Sequence, residues 1–157
     1  MKVNYSNQKV IKEGKTIFLA GPTPRSKDVQ TWRPEAVEIL KDLGFDGVVY
    51  VPELENDDRT FNYDNQVWWE REALYNASII AFWVPRNMKT MPALTTNVEY
   101  GYWISKNPDK VVYGRPDNSE NNKYLDWLYK TETGKEPIND LTNLLKEAIE
   151  KVDDEYE

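Results

Sequence analysis

The chain contains no cysteine and no histidine among its 157 residues. The absence of cysteine excludes disulfides and thiolate nucleophiles, and the absence of histidine excludes His-based triads. The usual zinc sites are excluded as well, because they are built from these two residue types. Any chemistry must therefore use Asp, Glu, Tyr, Lys, Arg or backbone groups, and we expect neither a metal ion nor a cofactor.

Long apolar runs and an excess of positive charge are also missing. No segment reaches the ~20 apolar residues that a membrane span needs, and residues 1–15 lack the apolar run of a signal peptide. The 20 basic and 27 acidic side chains give a net charge of -7, which disfavours duplex nucleic acid and anionic membranes as partners. We therefore expect a soluble cytoplasmic protein that acts on small molecules.

The length of the chain fits one compact domain, residues 1–157. We expect a loose polar leader at 1–14 and a frayed tail at 153–157. The six Trp and ten Tyr are suited either to stacking a flat ligand or to ordinary core filling.

Short apolar runs alternate along the chain with segments of helical periodicity. The apolar runs that predict strands lie at 16–20, 47–52, 79–84 and 110–114. The helical segments lie at 32–44, 65–76, from 96 onward, 124–128 and 138–152. This alternation predicts an α/β fold, a parallel sheet with helices on both faces. A fifth strand is either absent or too short to read.

Ligands of such sheets bind beyond the carboxyl ends of the strands. Four predicted loops gather at that edge: 21–26, 52–58, 85–95 and 114–117. The acidic stretch 53–58 predicts an exposed loop. The loop 85–95 is long and carries only basic charges, which is typical of a functional loop.

The stretch 95–101, TTNVEYG, places a lone carboxylate, Glu99, in the first turn of a predicted helix. Thr96 and Glu99 have the spacing of a capping box, in which Glu99 binds the backbone N–H of Thr96. Alternatively, an ionised Glu99 at the ligand edge attacks the anomeric carbon of a sugar, as in retaining glycosyl transfer. Spacing favours the cap, and position favours the nucleophile.

A second carboxylate, Glu70, falls on the apolar face of the helix 65–76, for which Asp64 is the expected cap. Burying an ionised carboxylate without a partner would cost several kcal/mol, so Glu70 must be paired, hydrogen-bonded or exposed to a cavity. Glu70 is either a partner of Glu99 that positions it or handles protons, or a buried acid satisfied by Arg or Tyr groups.

Five motifs occur in a specific order: IFLAGP at 17–22, WE at 69–70, the strand 79–85, the stretch 95–101, and GRP at 114–116. With this order the chain resembles the nucleoside 2-deoxyribosyltransferase family, in its branch of small bacterial and phage proteins, over about residues 16–129. The resemblance implies a flavodoxin-like, doubly wound parallel sheet of four to five strands. It also implies base exchange on 2′-deoxynucleosides through a covalent deoxyribosyl-glutamate, in a homo-oligomer, a dimer or larger, whose neighbouring subunit completes each pocket.

The resemblance assigns roles to individual residues. Glu99 takes the place of the nucleophile, Glu70 that of an acid that contacts the sugar and base, and Gly21 belongs to the loop under the substrate. The other residues expected to bind substrate are Phe18, Pro22, Asp64, Trp69 and Asn97. Related nucleotide N-glycosidases hold a 5′-phosphate with Ser and Arg, a role open to Arg25 and Ser26, which otherwise belong to a solvated loop.

Two positions depart from the family pattern. Phe18 stands where classical members carry a Tyr whose hydroxyl orients the nucleophile. Residues 93–97 contain no acid to protonate the departing base, and Asn97 cannot donate that proton. Proton supply would fall to Glu70, to a water, or to an acid in the loop 57–64.

Four functions are therefore open. The first is cleavage or transfer of the N-glycosidic bond of 2′-deoxynucleosides, with a nucleoside or nucleotide and a free base as partners. The second is hydrolysis of nucleoside 5′-monophosphates, and the third is a catalytically silent nucleotide-binding module, suggested by Phe18 and the missing acid. The fourth is a structural domain in which Glu99 is only a helix cap.

Overall fold

The computed structural model describes residues 1–55 and 62–157. Within them, the predicted alternation is confirmed. The strands are β1 Lys2–Tyr5, β2 Thr16–Ala20, β3 Val48–Val51, β4 Ile79–Trp83 and β5 Val111–Gly114. The helices are α1 Arg33–Asp42, α2 Tyr63–Asn76, α3 Leu94–Lys106, α4 Lys123–Thr133 and α5 Leu141–Glu155, with a short 3-10 helix at Pro108–Lys110. All strand pairs are parallel in the order β1-β3-β2-β4-β5, a flavodoxin-like sheet.

The fifth strand comes from the segment predicted to be a loose leader, so that prediction is wrong. Strand β1 pairs with β3 along its whole length, from Lys2 opposite Val48 onward. Buried Asn4 fixes the turn that follows, since its Nδ2 donates to the carbonyl of Lys9 at 3.1 Å and its Oδ1 accepts from the Ile11 N–H at 2.8 Å. The N-terminal residues are thereby part of the sheet and its edge.

The sheet is covered on both faces, as a doubly wound fold requires. Helices α2, α3 and α4 pack on one face, and α1 and α5 pack on the other. Strands β2 to β5 are buried throughout, which explains why they read as continuous apolar runs. In the described part of the chain, no helix is long and apolar enough to cross a bilayer.

The C-terminal tail is helical rather than frayed, which corrects the prediction. Helix α5 continues to Glu155. The Asp153 carboxylate pairs with Lys15 at 2.8 Å, and the Tyr156 hydroxyl donates to the carbonyl of Gly14 at 2.7 Å. These contacts tie the end of the chain to the residues that precede β2.

At Gly21, directly after β2, the loop into α1 passes close to the backbone of β4. Its φ is 148°, and a Cβ there would lie 2.1 Å from the carbonyl oxygen of Trp83 and 2.8 Å from the ring of Trp32. The Trp83 oxygen belongs to the sheet backbone and cannot yield. Any side chain at this position would therefore push the loop off the carboxyl edge of the sheet.

We expect Gly21→Ala to lower the free energy of unfolding by about 2 to 4 kcal/mol, because the new methyl group meets backbone and the φ is strained. Gly101→Ala is the matched control: it lies within α3, and apart from its own helix backbone no described atom lies within 4 Å of its Cβ position. The control should gain about 0.5 to 1 kcal/mol from helix propensity. Urea unfolding measures both, and equal stability of Gly21→Ala and wild type would contradict the close approach.

Candidate active site

A cavity of about 440 Å³ opens at the carboxyl edge of the sheet. Its walls come from the segments after β2 and β3, the first half of α2 and the start of α3. Both carboxylates singled out by the sequence, Glu70 and Glu99, line it. The volume is in the range of pockets that hold small organic ligands.

Glu99 is not a helix cap, so the capping-box interpretation is wrong. Helix α3 begins at Leu94, because Ala93 adopts a left-handed conformation (φ 59°, ψ 39°) and takes the N-cap position without a side-chain hydrogen bond. Glu99 consequently lies in the second turn, where the helix dipole favours a negative charge less than in the first. The shift also leaves its carboxylate available to the cavity.

The Glu99 carboxyl lies in a poorly solvated position. Burial raises the pKa of Glu99 to about 8, with a further rise from the neighbouring charge of Glu70 and an opposing effect from the positive charge of Arg33. No hydrogen bond reaches this carboxyl from residues 1–55 or 62–157. Within the described residues, the position of the Glu99 carboxyl is therefore set by the packing of α3.

Glu70 faces the cavity from α2. Burial raises its pKa, while a hydrogen bond from Gln66 Nε2 at 3.3 Å and the charge of Arg33 oppose the rise. Helix α2 begins at Tyr63 rather than at 65, and its cap is Asn62, whose side chain accepts from the Asn65 N–H at 3.1 Å. Asp64 is therefore not the cap that the sequence predicted.

The two carboxyls act as a coupled pair, because the charge of Glu70 disfavours ionisation of Glu99. Such a pair loses its protons in two macroscopic steps. Between those steps it holds one proton and one negative charge. One group can then serve as a nucleophile while the other serves as an acid.

Arg33 is a cation whose charge acts on both acids, and sequence reasoning missed it. Its side chain is 2% exposed and donates to the carbonyl of Leu19 at 2.9 Å, the carbonyl of Gly21 at 2.6 Å, Thr23 Oγ1 at 2.8 Å and Glu53 Oε2 at 3.0 Å. Glu53, predicted in an exposed acidic loop, is instead buried against Arg33. The signal that could have found Arg33 is its helical spacing with the apolar positions of α1.

The long loop 85–95 is organised by another buried cation, Arg86. Its guanidinium donates to the carbonyl of Pro92 at 2.6 Å and to Asn97 Oδ1 at 2.6 Å. Asn97, expected to bind substrate, is therefore turned toward Arg86 and does not line the cavity. Pro92 and Ala93 do line it, so Arg86 shapes the wall through the backbone.

The remaining predicted site residues divide into two groups. Phe18, Gly21, Pro22 and Arg25 line the cavity with the two acids, whereas Asp64, Trp69 and Ser26 do not. Trp69 belongs to the core, where its Nε1 donates to the carbonyl of Gln8 at 2.9 Å, and the Ser26 hydroxyl accepts from the Asp28 N–H at 3.1 Å. Asp64 is exposed on α2. Of the acids considered as proton donors, Asp57 and Asp58 lie outside the described residues.

Phe18 brings no hydroxyl to Glu99, and the adjacent tyrosine does not replace it. The ring of Tyr50 lies 6.4 Å from that of Phe18. Its hydroxyl, however, donates to the carbonyl of Ile11 at 2.5 Å and accepts from Asn76 Nδ2 at 2.5 Å. The cavity wall beside Phe18 is consequently apolar.

Comparison with known families identifies a match over most of the chain. The model of a family described as nucleoside 2-deoxyribosyltransferase like matches residues 14–118. The matched stretch includes β2 to β5 and both cavity acids. No curated protein matches the chain.

The raised pKa of Glu99 predicts that stability depends on pH. Since the folded state keeps a proton that the unfolded state releases above the ordinary glutamate pKa of about 4.3, stability falls as the pH rises from there to about 8. Glu99→Gln removes this cost. We expect the free energy of unfolding of the variant to exceed that of wild type by about 1 to 2 kcal/mol at pH 8.5 and to equal it near pH 4.

Urea unfolding at the two pH values measures this difference. Glu38→Gln, a change at an exposed position of α1, is the control and should follow wild type at both. A Glu99→Gln variant that is no more stable than wild type at pH 8.5 would contradict the burial of this charge.

Proposed function

Because the chain belongs to the nucleoside 2-deoxyribosyltransferase-like family, we propose that it cleaves or transfers the N-glycosidic bond of 2′-deoxynucleosides. The observation that carries the proposal is that Glu70 and Glu99 line one cavity of about 440 Å³ and are coupled electrostatically. A pair that holds a single proton supplies both groups that the reaction needs when that proton lies on Glu70 and Glu99 is the carboxylate. Burial favours the other arrangement, with the proton on Glu99, so the reactive form is the less populated of the two singly protonated forms below about pH 8.

In the first step, a carboxylate oxygen of Glu99 attacks C1′ of the deoxyribose. The bond from C1′ to the base nitrogen breaks, and its electron pair leaves with the base. The Glu70 carboxyl gives its proton to the departing base and becomes a carboxylate. The products are a free base and a deoxyribosyl ester on Glu99.

In the second step, a nitrogen of another base or a water oxygen attacks C1′. The ester bond breaks, its electron pair returns to the Glu99 carboxylate, and Glu70 takes the proton from the attacking atom. Attack by a base gives exchange, and attack by water gives hydrolysis. The pair ends with the single proton with which it began.

The environment of the pair suits this chemistry. The fixed charge of Arg33 lowers the pKa of both acids, so that one of them can ionise in a poorly solvated cavity. The apolar ring of Phe18 lies in the wall of the same cavity and leaves the Glu99 carboxylate without a competing donor on that side. Orientation of Glu99 then depends on the packing of α3 instead of on a tyrosine hydroxyl.

A second candidate function is hydrolysis of nucleoside 5′-monophosphates. Arg25 favours it, because this exposed side chain lines the cavity and lies on the loop after β2. A guanidinium at that place could bind a phosphate group bidentately. Ser26, the other residue considered for this role, does not line the cavity.

We also propose that the chain forms a homodimer through the outer faces of α2 and α3. The two faces meet where the rings of Tyr75 and Tyr102 pack 6.4 Å apart. Their exposed large side chains are Tyr63, Val67, Trp68 and Tyr75 on α2, and Leu94, Val98 and Tyr102 on α3. Together they expose on the order of 800 Å², which is more than monomers usually leave open and about what one partner of a stable dimer buries. Tyr63, Val67 and Leu94 also line the cavity, so a second copy seated here would narrow its mouth.

We expect Glu99→Gln to lower base exchange by at least about 10³-fold, because the amide cannot form the ester. Exchange is measured by chromatography after incubation of deoxyadenosine with excess thymine. The rate should fall on both sides of a maximum, with the upper limb near pH 8, where the pair loses its last proton. Glu38→Gln is the control. Unchanged activity in Glu99→Ala, or the absence of base exchange by the wild type, would contradict the proposal.

The same assay separates the alternatives. Turnover of deoxyadenosine monophosphate but not deoxyadenosine, reduced by Arg25→Ala, would favour the monophosphate hydrolase. A silent nucleotide-binding module would bind these compounds without releasing base, and any release of free base by the wild type excludes it.

The dimer predicts that Trp68→Glu combined with Val98→Glu yields monomers, because two charges would be buried at its centre. Trp127→Glu is the matched control, since this ring is also exposed but lies on α4. Sedimentation equilibrium of the three proteins tests the interface. A wild type that is monomeric at tens of micromolar would refute it.

A further inference from the structure

We propose that Gln66 is a positioning residue that holds the Glu70 carboxyl at the cavity by tying it to the backbone that follows β3. The proposal rests on the proposed function, in which Glu70 transfers the proton. Gln66 lies one turn before Glu70 on α2 and lines the cavity. Its Nε2 donates to Glu70 Oε1 at 3.3 Å and to the carbonyl of Pro52 at 3.0 Å.

The bond to Pro52 fixes which way the amide of Gln66 points. A backbone carbonyl can only accept, so the amide must present its NH₂ group to Pro52 rather than its oxygen. The two hydrogens of that group are then divided between Pro52 and Glu70. The Gln66 amide therefore offers Glu70 a donor of fixed direction.

A fixed donor matters because a glutamate side chain has several rotamers, and a hydrogen bond selects among them. Among the described residues, Gln66 is the one group that hydrogen-bonds its carboxyl. Ordering a glutamate side chain costs rotamer entropy. The hydrogen bond from Gln66 orders the Glu70 side chain in the free enzyme, before substrate binds.

The donor also acts on the proton-transfer step itself. A neutral carboxyl accepts a weaker hydrogen bond than a carboxylate does. The bond from Gln66 therefore strengthens as Glu70 gives its proton to the base, which is the condition for stabilising a transition state over the ground state. Among residues 1–55 and 62–157, the charged groups that line the cavity with Glu70 are Glu99 from α3, Arg33 from α1, Glu53 after β3 and Arg25 on the loop after β2.

A purely structural role would be to tether α2 to the sheet edge. The two roles differ in what a substitution changes. Loss of the tether alone would lower stability and raise KM, and it would leave the pH profile where it was. Loss of the donor to Glu70 would move the pH at which the carboxyl pair takes up its second proton.

The test compares Gln66→Met, which keeps the length of the side chain without its donors, with Gln66→Glu, which adds a carboxyl to those of Glu53, Glu70 and Glu99. We expect kcat to fall about 10- to 100-fold with KM nearly unchanged. The midpoint of the acid limb of the pH–rate profile should move to higher pH by about 0.5 to 1 unit in Gln66→Met, and further in Gln66→Glu. Gln30→Met, at an exposed position of the loop before α1, is the control.

A second measurement needs no activity. Carboxyl ¹³C NMR, with the Glu70 signal assigned through Glu70→Gln, follows the titration of Glu70 directly in wild type and Gln66→Met. A higher midpoint in the variant supports the proposal, and identical midpoints overturn it. If the wild type released no base from any nucleoside, the proposed function would fail while this titration still decided the role of Gln66.

Discussion

The hydrogen-bonded guanidinium of Arg33 is the constraint on which the site depends. A buried cation is tolerated only when its donors are satisfied, and here it binds the Leu19 and Gly21 carbonyls, Thr23 and Glu53. These partners come from the ends of β2 and β3, so one side chain joins the two segments that form half of the cavity. The same charge acts on Glu70 and Glu99 and keeps one of them ionisable.

Around this cation, burial of Glu99 lowers the stability of the folded protein but suits the proposed chemistry. Burial of Glu99 raises its pKa and weakens the fold above the pH at which an ordinary glutamate ionises. The same burial removes water from the carboxylate and from the bond that it would attack. Such a cost is typical of functional sites, where a residue is retained in spite of its effect on stability.

Much of the fold could be predicted from the sequence because the buried strands are apolar on both faces. Strand β1 was missed because its sequence, KVNY, is that of an edge strand and its pairing with β3 is non-local. The start of α3 was missed because the left-handed conformation of Ala93 determines it, and no sequence pattern indicates that conformation. Arg33 and Glu53 were missed because their burial depends on a contact between residues far apart in the chain. Glu70 could be singled out, since helical spacing alone puts it on an apolar face.

In the proposed reaction, Glu99 carries the sugar between the two half-reactions. Acid quenching during turnover of a deoxynucleoside, followed by intact-mass analysis and peptide mapping, would detect this intermediate. We expect one deoxyribosyl group per chain, located on Glu99 and absent from Glu99→Gln. Release of base without any adduct, or an adduct on Glu70, would contradict the proposed reaction.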